Sequence, residues 1–211
     1  MSSAYGAISR PAASTLDPLP LPLVAKLPTT NATTKLVSVD KSNNDLVETL
    51  RGLLNLEILN GSTYPQENGL DRAQFEAYFL SYDAFVLIRD SDQAVLGTFY
   101  VKPNYPGRCS HICNAGFLVM PEFRNLGIGK VLCEAFLILA PKLGYLSSVF
   151  NLVFENNTAS VRLWRSYGFE EVGRIPKAGR LKNSVERIDA IVFYCDFEAL
   201  DLTGRLHYVE L

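Results

Sequence analysis

The stretch from Phe117 to Lys130 most constrains this chain. An apolar run, Phe117-Leu118-Val119-Met120, meets Pro121 and passes into Arg124-Asn125-Leu126-Gly127-Ile128-Gly129-Lys130, an R-x-x-G-x-G pattern. A helix-like run from Lys130 to Leu139 follows. Read together, these are a strand, a tight turn and a helix. Two glycines allow the backbone to turn sharply and approach a ligand closely. The helix start adds unpaired N–H groups and the positive end of a dipole. The expectation is an anion cradle at a strand-to-helix junction. Glycine turns before helices also serve plain packing, so the weight of this reading depends on the rest of the chain.

The order of the other elements narrows the fold. Residues 1 to 34 are rich in Ser, Pro, Ala and Thr, with Pro18, Pro20 and Pro22 alternating with leucines. Proline at that density opposes a regular helix or central strand, so 1–34 reads as a disordered or loosely packed arm and 35–211 as the domain. Arg10, with no acidic residue before Asp17, leaves a mitochondrial presequence open, without the arginine-rich amphipathic pattern of one. Asn43 or Asn44 caps an expected helix to about Asn60, with Gly61 at its end and Leu46, Leu50, Leu53, Leu54 and Ile58 on its apolar face. Asp71 caps a second helix to about Ser81. Ala84–Ile88 and Val95–Val101 form a hairpin, and His111–Val119 a third strand. After the central helix come a strand at Ser148–Phe154, a helix capped by Asn157 or Thr158 and stopped by Gly168, and strands at Phe169–Ile175 and Ala190–Phe197. This is an α/β (α+β) domain with a mixed sheet flanked by helices.

Charge and cysteine usage exclude several classes. With 20 basic and 22 acidic residues and no basic block, no nucleic-acid footprint is expected. No run of 18 apolar residues exists, so no membrane partner is expected. The four cysteines, Cys109, Cys113, Cys133 and Cys195, sit in apolar or strand-like surroundings without a secretory signal, which fits reduced thiols inside a cell. Cys109-Ser110-His111-Ile112-Cys113 invites a zinc reading, but the other histidine, His207, is far away in sequence. C-x-H-x-C along a strand also spaces ligands poorly for one tetrahedral site. No metal is expected.

A second motif sharpens the first. Asn157-Thr158-Ala159-Ser160-Val161-Arg162-Leu163-Trp164-Arg165-Ser166-Tyr167-Gly168-Phe169 follows at the distance at which N-x-x-A-x-x-L-Y-x-x-x-G-F often stands after R-x-x-G-x-G in the GCN5-related N-acetyltransferase superfamily. Together the two resemble that superfamily, which implies its mixed-sheet fold and acetyl-coenzyme A as co-substrate. The resemblance puts the pyrophosphate on Arg124, Asn125, Leu126, Gly127, Ile128, Gly129 and Lys130, and the pantetheine arm along Phe117, Leu118 and Val119. Such a site needs N–H donors and a local positive end, as the glycine turn supplies.

Asn55-Leu56-Glu57-Ile58, Thr63-Tyr64-Pro65-Gln66, Gly97 to Tyr105 and Cys109 to Val119 are more specifically similar to the fungal azetidine-2-carboxylate N-acetyltransferases. That resemblance, over roughly residues 55 to 196, implies acetylation of the secondary amine of proline analogues and other imino acids. It further implies a homodimer in the cytosol, with a mitochondrial or nuclear pool as a lesser alternative.

The chain departs from the superfamily pattern at two chemical positions. No Asp or Glu lies between Asp92 and Glu122, so the strand before the turn carries no carboxylate base, and the usual tyrosine is Trp164. Amides remain. An asparagine cannot act as a base, but it orients substrates and donates hydrogen bonds to developing negative charge. By the resemblance, Asn114 recognises the imino acid, the backbone at Asn151 and Leu152 touches it, Asn157 faces the thioester sulfur, and the Phe117 amide lies near the acetyl group. Asn156 stays open as the alternative to Asn157, which is also a natural helix cap. His111 falls on the opposite strand face from Asn114, and Tyr167 sits where core packing is expected. Protein or peptide acetylation, and a non-catalytic acyl-coenzyme A module, are the competing readings.

Overall fold

The computed structural model describes residues 8–11, 18–182, 184–202 and 207–208. Eight strands form one sheet: β1 (Leu23–Lys26), β2 (Thr33–Ser38), β3 (Asp83–Arg89), β4 (Val95–Pro103), β5 (Ile112–Val119), β6 (Ser147–Phe154), β7 (Glu170–Gly179) and β8 (Ile188–Asp196). Their spatial order is β1-β2-β3-β4-β5-β6-β8-β7. Every neighbouring pair is antiparallel except β5 with β6. That parallel pair is joined through the helix that the glycine turn opens, α3 (Ile128–Lys142).

Strand alternation distributes side chains to two cores. Phe85, Leu87, Phe99, Val101 and Cys113 face α3 and α4 (Thr158–Ser166), and pack with Val131, Phe136, Val161 and Trp164. Ala84, Val86, Tyr100 and Leu118 point the other way, onto α1 (Asn44–Asn60) and α2 (Arg72–Phe79). Buried on both faces, β3 and β4 read as nearly continuous apolar runs. The caps are as expected at α1: the Asn43 side chain accepts from the Leu46 N–H at 3.0 Å, and Gly61 ends the helix at φ 66°. At α2, Asp71 and Gln74 form a reciprocal capping box.

The arm-and-domain division does not match the fold. A boundary at residue 34 falls inside β2, and β1 lies wholly within the expected arm. Leu23, Ala25, Leu27 and Leu36 are buried in the main core, and buried Thr34 donates its hydroxyl to the Ala25 carbonyl at 3.0 Å. The prolines are compatible because β1 is the sheet's edge strand and begins just after Pro22. Residues 8–11 pack nearby: Tyr82 donates to the Ile8 carbonyl and Arg10 pairs with Asp83 at 3.2 Å. The remainder of the expected arm, 1–7 and 12–17, lies outside the described residues.

Candidate active site

The parallel pair β5 and β6 is barely a pair. Its ladder consists of Ile112 with Ser147 and Cys113 with Ser148, and ends there. Beyond that point β5 continues to Val119 along β4, and β6 continues to Phe154 along β8. Each strand is therefore paired on its outer side and has no strand partner on its inner side among the described residues. The result is a wedge whose facing edges offer backbone donors and acceptors, which an extended ligand can satisfy.

Aromatic rings bridge the wedge from the α3 and α4 side. The Phe117 and Phe150 centroids, one from each strand, are 6.0 Å apart. The Trp164 ring spans both, 5.0 Å from Phe117 and 4.7 Å from Phe150. Trp164 is thus a packing residue at the place where the family motif usually carries a tyrosine. The nearby Tyr167 is committed as well: its hydroxyl donates to the buried Glu134 carboxylate at 2.6 Å.

At the wide end of the wedge the chain turns at Pro121–Phe123 and enters α3. Asn125 at φ 63° and Gly127 at φ 80° take the left-handed conformation, and Gly127 is the helix cap without any side-chain hydrogen bond. A Cβ at Gly127 would lie 2.9 Å from Pro28 Cδ, so both φ and space favour glycine there. The Leu126 carbonyl accepts the Thr29 hydroxyl at 3.0 Å. The N–H groups of Ile128 and Gly129 have no helical acceptor behind them and stand unpaired among the described residues. This is an anion cradle in geometry, and it fits a pyrophosphate. Arg124 is drawn aside, its guanidinium paired with Glu57 of α1.

The asparagines named by the sequence divide by what holds them. Asn157 caps α4: its side-chain oxygen accepts from the Ser160 N–H at 3.2 Å, which leaves its NH2 group as a donor. Asn156 instead donates to the Ser62 carbonyl at 3.1 Å. The Asn114 oxygen accepts from the Ala115 N–H at 2.8 Å, and its NH2 has no partner among the described residues. Asn151 is locked. It donates to Asn104 at 2.6 Å, receives the Asn104 NH2 at 3.0 Å, and receives the Tyr105 hydroxyl at 3.3 Å. Its backbone differs, because the β6–β8 register shifts between Phe150 and Val153 and leaves Asn151 and Leu152 outside the ladder.

The α1 and α2 face of the wedge holds groups that the motifs do not reveal. Gly116 abuts the Tyr100 ring so closely that a Cβ would lie 2.5 Å from it. The Tyr100 and Tyr78 hydroxyls are 3.3 Å apart. Burial and the neighbouring phenols push the Tyr100 hydroxyl far up, and burial, Tyr78 and Glu57 do the same to Tyr64. The ammonium of Lys102 lies over the Tyr78 and Tyr100 rings, 4.4 and 4.6 Å from their centroids. The register that sets Lys102 opposite Asn114 could not be read from the sequence. Among the described residues no group of three or more His, Cys, Asp or Glu side chains is placed to hold a metal ion, and no helix is long and apolar enough to cross a membrane.

Known proteins share this arrangement. The model of the acetyltransferase (GNAT) family matches residues 53–169, which include the wedge, the cradle and α4. The N-acetyltransferase aca1 of Schizosaccharomyces pombe is 41% identical over 186 residues, covering 78% of this chain and 89% of that protein. Among solved structures, a GCN5-related N-acetyltransferase from Kribbella flavida superposes with a TM-score of 0.71 at 24% identity, covering 77% of this chain and 97% of that one. A phosphinothricin acetyltransferase from Sinorhizobium meliloti in complex with acetyl-coenzyme A reaches 0.69 at 19% identity, covering 84% and 94%.

Proposed function

The chain belongs to the GNAT acetyltransferase family and is an acetyl-coenzyme A-dependent N-acetyltransferase, and from that premise we propose that its acceptor is the secondary amine of azetidine-2-carboxylate and related imino acids. The observation that carries this reading is the acceptor side of the wedge. It presents the Asn114 NH2 and the out-of-ladder backbone of Asn151 and Leu152, and β5 bears no carboxylate. An acceptor that itself carries a carboxylate is better received by donors than by an acidic base, because like charges at short range repel.

In this reading the cradle of Gly127, Ile128 and Gly129 holds the pyrophosphate, and the β5 edge at Phe117, Leu118 and Val119 pairs with the pantetheine arm. The Phe117 amide donates to the carbonyl oxygen as charge builds there. Asn114 orients the acceptor so that its nitrogen lone pair meets the acetyl carbon. The acceptor nitrogen forms the new C–N bond and gives its proton to water, while the C–S bond breaks. Asn157 donates its NH2 to the departing sulfur, and its cap bond to Ser160 aims it. Asn156, turned to Ser62, is the weaker candidate for that place. We further propose that the enzyme acts as a cytosolic homodimer.

The test follows free thiol release from acetyl-coenzyme A with azetidine-2-carboxylate, with a panel of peptides, and without acceptor. Release that depends on azetidine-2-carboxylate is the expected result. Release with peptides alone would assign the enzyme to protein acetylation. Coenzyme binding without release for any acceptor would leave a binding module.

A further inference from the structure

Among the described residues Lys102 has no anionic partner. It projects from β4 to the α1 and α2 face, half-buried, with its ammonium between the rings of Tyr78 on α2 and Tyr100 on β4. It makes no ion pair or hydrogen bond with any described residue. Among the described residues the titratable groups in contact with it are those two phenols, and Tyr64 and Glu57 belong to the same cluster behind them. Directly across the β4–β5 ladder stands Asn114, whose NH2 also has no partner among the described residues. Antiparallel partners project to the same face, so two donors converge where the wedge meets the acceptor side.

A lysine serving only to pack would extend its ammonium to water or to a carboxylate. Here the ring faces offset part of the lost hydration, and no described residue offsets the remainder. Burial accordingly pulls the Lys102 ammonium down to about 8. An anion brought by a ligand would complete the site, and the imino acids of the proposed reaction carry one carboxylate beside the reacting nitrogen.

We propose that Lys102 is a specificity-determining residue that receives the acceptor's carboxylate, with the Asn114 NH2 beside it and the Tyr78 and Tyr100 rings as its walls. The inference rests on the proposed acceptor class and deepens it. Lys102 then selects amines bearing an adjacent carboxylate over neutral amines of the same ring size, and it acts on acceptor binding rather than on acetyl transfer.

The experiment compares azetidine-2-carboxylate with its neutral analogue azetidine-2-carboxamide, at saturating acetyl-coenzyme A, in the unmodified enzyme and in Lys102→Met. Loss of one partner of a desolvated charge pair is expected to raise KM for the carboxylate about thirtyfold or more. KM for the carboxamide should move less than about threefold, with kcat for both nearly unchanged. A thermal shift on adding acetyl-coenzyme A verifies the fold of the variant; if Lys102→Met does not fold, Lys102→Gln carries the same comparison. Equal shifts for the two acceptors, or no shift for either, would overturn the assignment of Lys102 alone. An unmodified enzyme inert toward azetidine-2-carboxylate would instead overturn the acceptor reading, and this inference with it.

Discussion

At Asn157 one side chain holds a structural and a proposed chemical duty with different atoms. Its oxygen caps α4 and its NH2 has no partner among the described residues, so the two duties can be separated. Asn157→Ala removes both, and should lower kcat about tenfold to thousandfold and cost about 1 kcal/mol of stability. Asn157→Asp keeps a capping oxygen but has no NH2, so it should lose turnover while melting near the unmodified protein; full turnover in that variant would remove Asn157 from the chemistry. Lys102 gives a pH signature. Its native value of about 8 lies below the ordinary 10.5. Below pH 8 both native and unfolded chains hold the proton and the desolvation penalty is complete; between 8 and 10.5 only the unfolded chain holds it, so this residue makes stability rise with pH there. Acceptor binding runs the other way. The KM ratio of carboxylate to carboxamide in the unmodified enzyme, divided at each pH by the same ratio in Lys102→Arg, whose guanidinium keeps its charge and which cancels the titration of the two acceptors' own amines, should climb from about pH 7 to about pH 9.5. A quotient independent of pH would contradict this. Asn157 was legible as a helix cap because an asparagine ahead of a helical run marks its start. Lys102 was not, since its meaning depends on register: only the β4–β5 ladder sets it opposite Asn114. The Asn104–Asn151 pair, 47 residues apart in sequence, was hidden for the same reason.

Most elements could be read because their ends are chemically marked. Asn43 and Gly61 frame α1, Asp71 opens α2, and Asn157 opens α4. The edge strand β1 was misread, because proline density argues against central strands and says little about an edge strand set between Pro22 and Pro28. That error mattered for the cradle, which the N-terminal residues help to build: Pro28 fills the space beside Gly127, and Thr29 engages the Leu126 carbonyl. Gly127→Ala therefore meets both a forbidding φ of 80° and a clash at 2.9 Å. The strain, about 1 to 3 kcal/mol, should displace the turn and raise Kd for acetyl-coenzyme A about tenfold or more by titration calorimetry. Gly52 is the matched contrast: it sits exposed in mid-helix with nothing within 4 Å of an added Cβ. Gly52→Ala should raise stability by about 0.5 to 1 kcal/mol and leave Kd where it was. Equal Kd in the two variants would show that the cradle tolerates a side chain. The bulge that leaves Asn151 and Leu152 outside the ladder had no mark in the sequence, because Ser148 to Phe154 contains neither glycine nor proline and looks like an uninterrupted strand.

Across the whole molecule, the wedge depends on strands that part on one side while their outer neighbours hold them in place. Elements far apart in sequence are tied together behind it. The buried Glu134 of α3 accepts the Tyr167 hydroxyl at 2.6 Å and the His207 N–H at 2.7 Å, and lies 2.7 Å from the His207 Nδ1. Next to it, Tyr208 bridges to Ala25 of β1 and donates its hydroxyl to the Val131 carbonyl at 3.0 Å. One carboxylate thus joins α3, the segment after α4, and a C-terminal stretch that also touches the sheet's first strand. None of this was legible, because Glu134, Tyr167 and His207 are far apart in sequence and meet only through the fold. Removing a buried acceptor leaves its donors unsatisfied, which costs more than the bonds themselves contributed. Glu134→Ala should lower the unfolding free energy by about 3 kcal/mol in urea. Tyr167→Phe, which removes one donor and leaves the carboxylate bonded to His207, should cost about 1 kcal/mol. Below the melting transition Glu134→Ala should bind acetyl-coenzyme A within about threefold of the unmodified protein, because the cradle lies at the helix start and the carboxylate beyond it. A loss of coenzyme affinity without a loss of stability would instead make Glu134 part of the binding site and not the tie behind it.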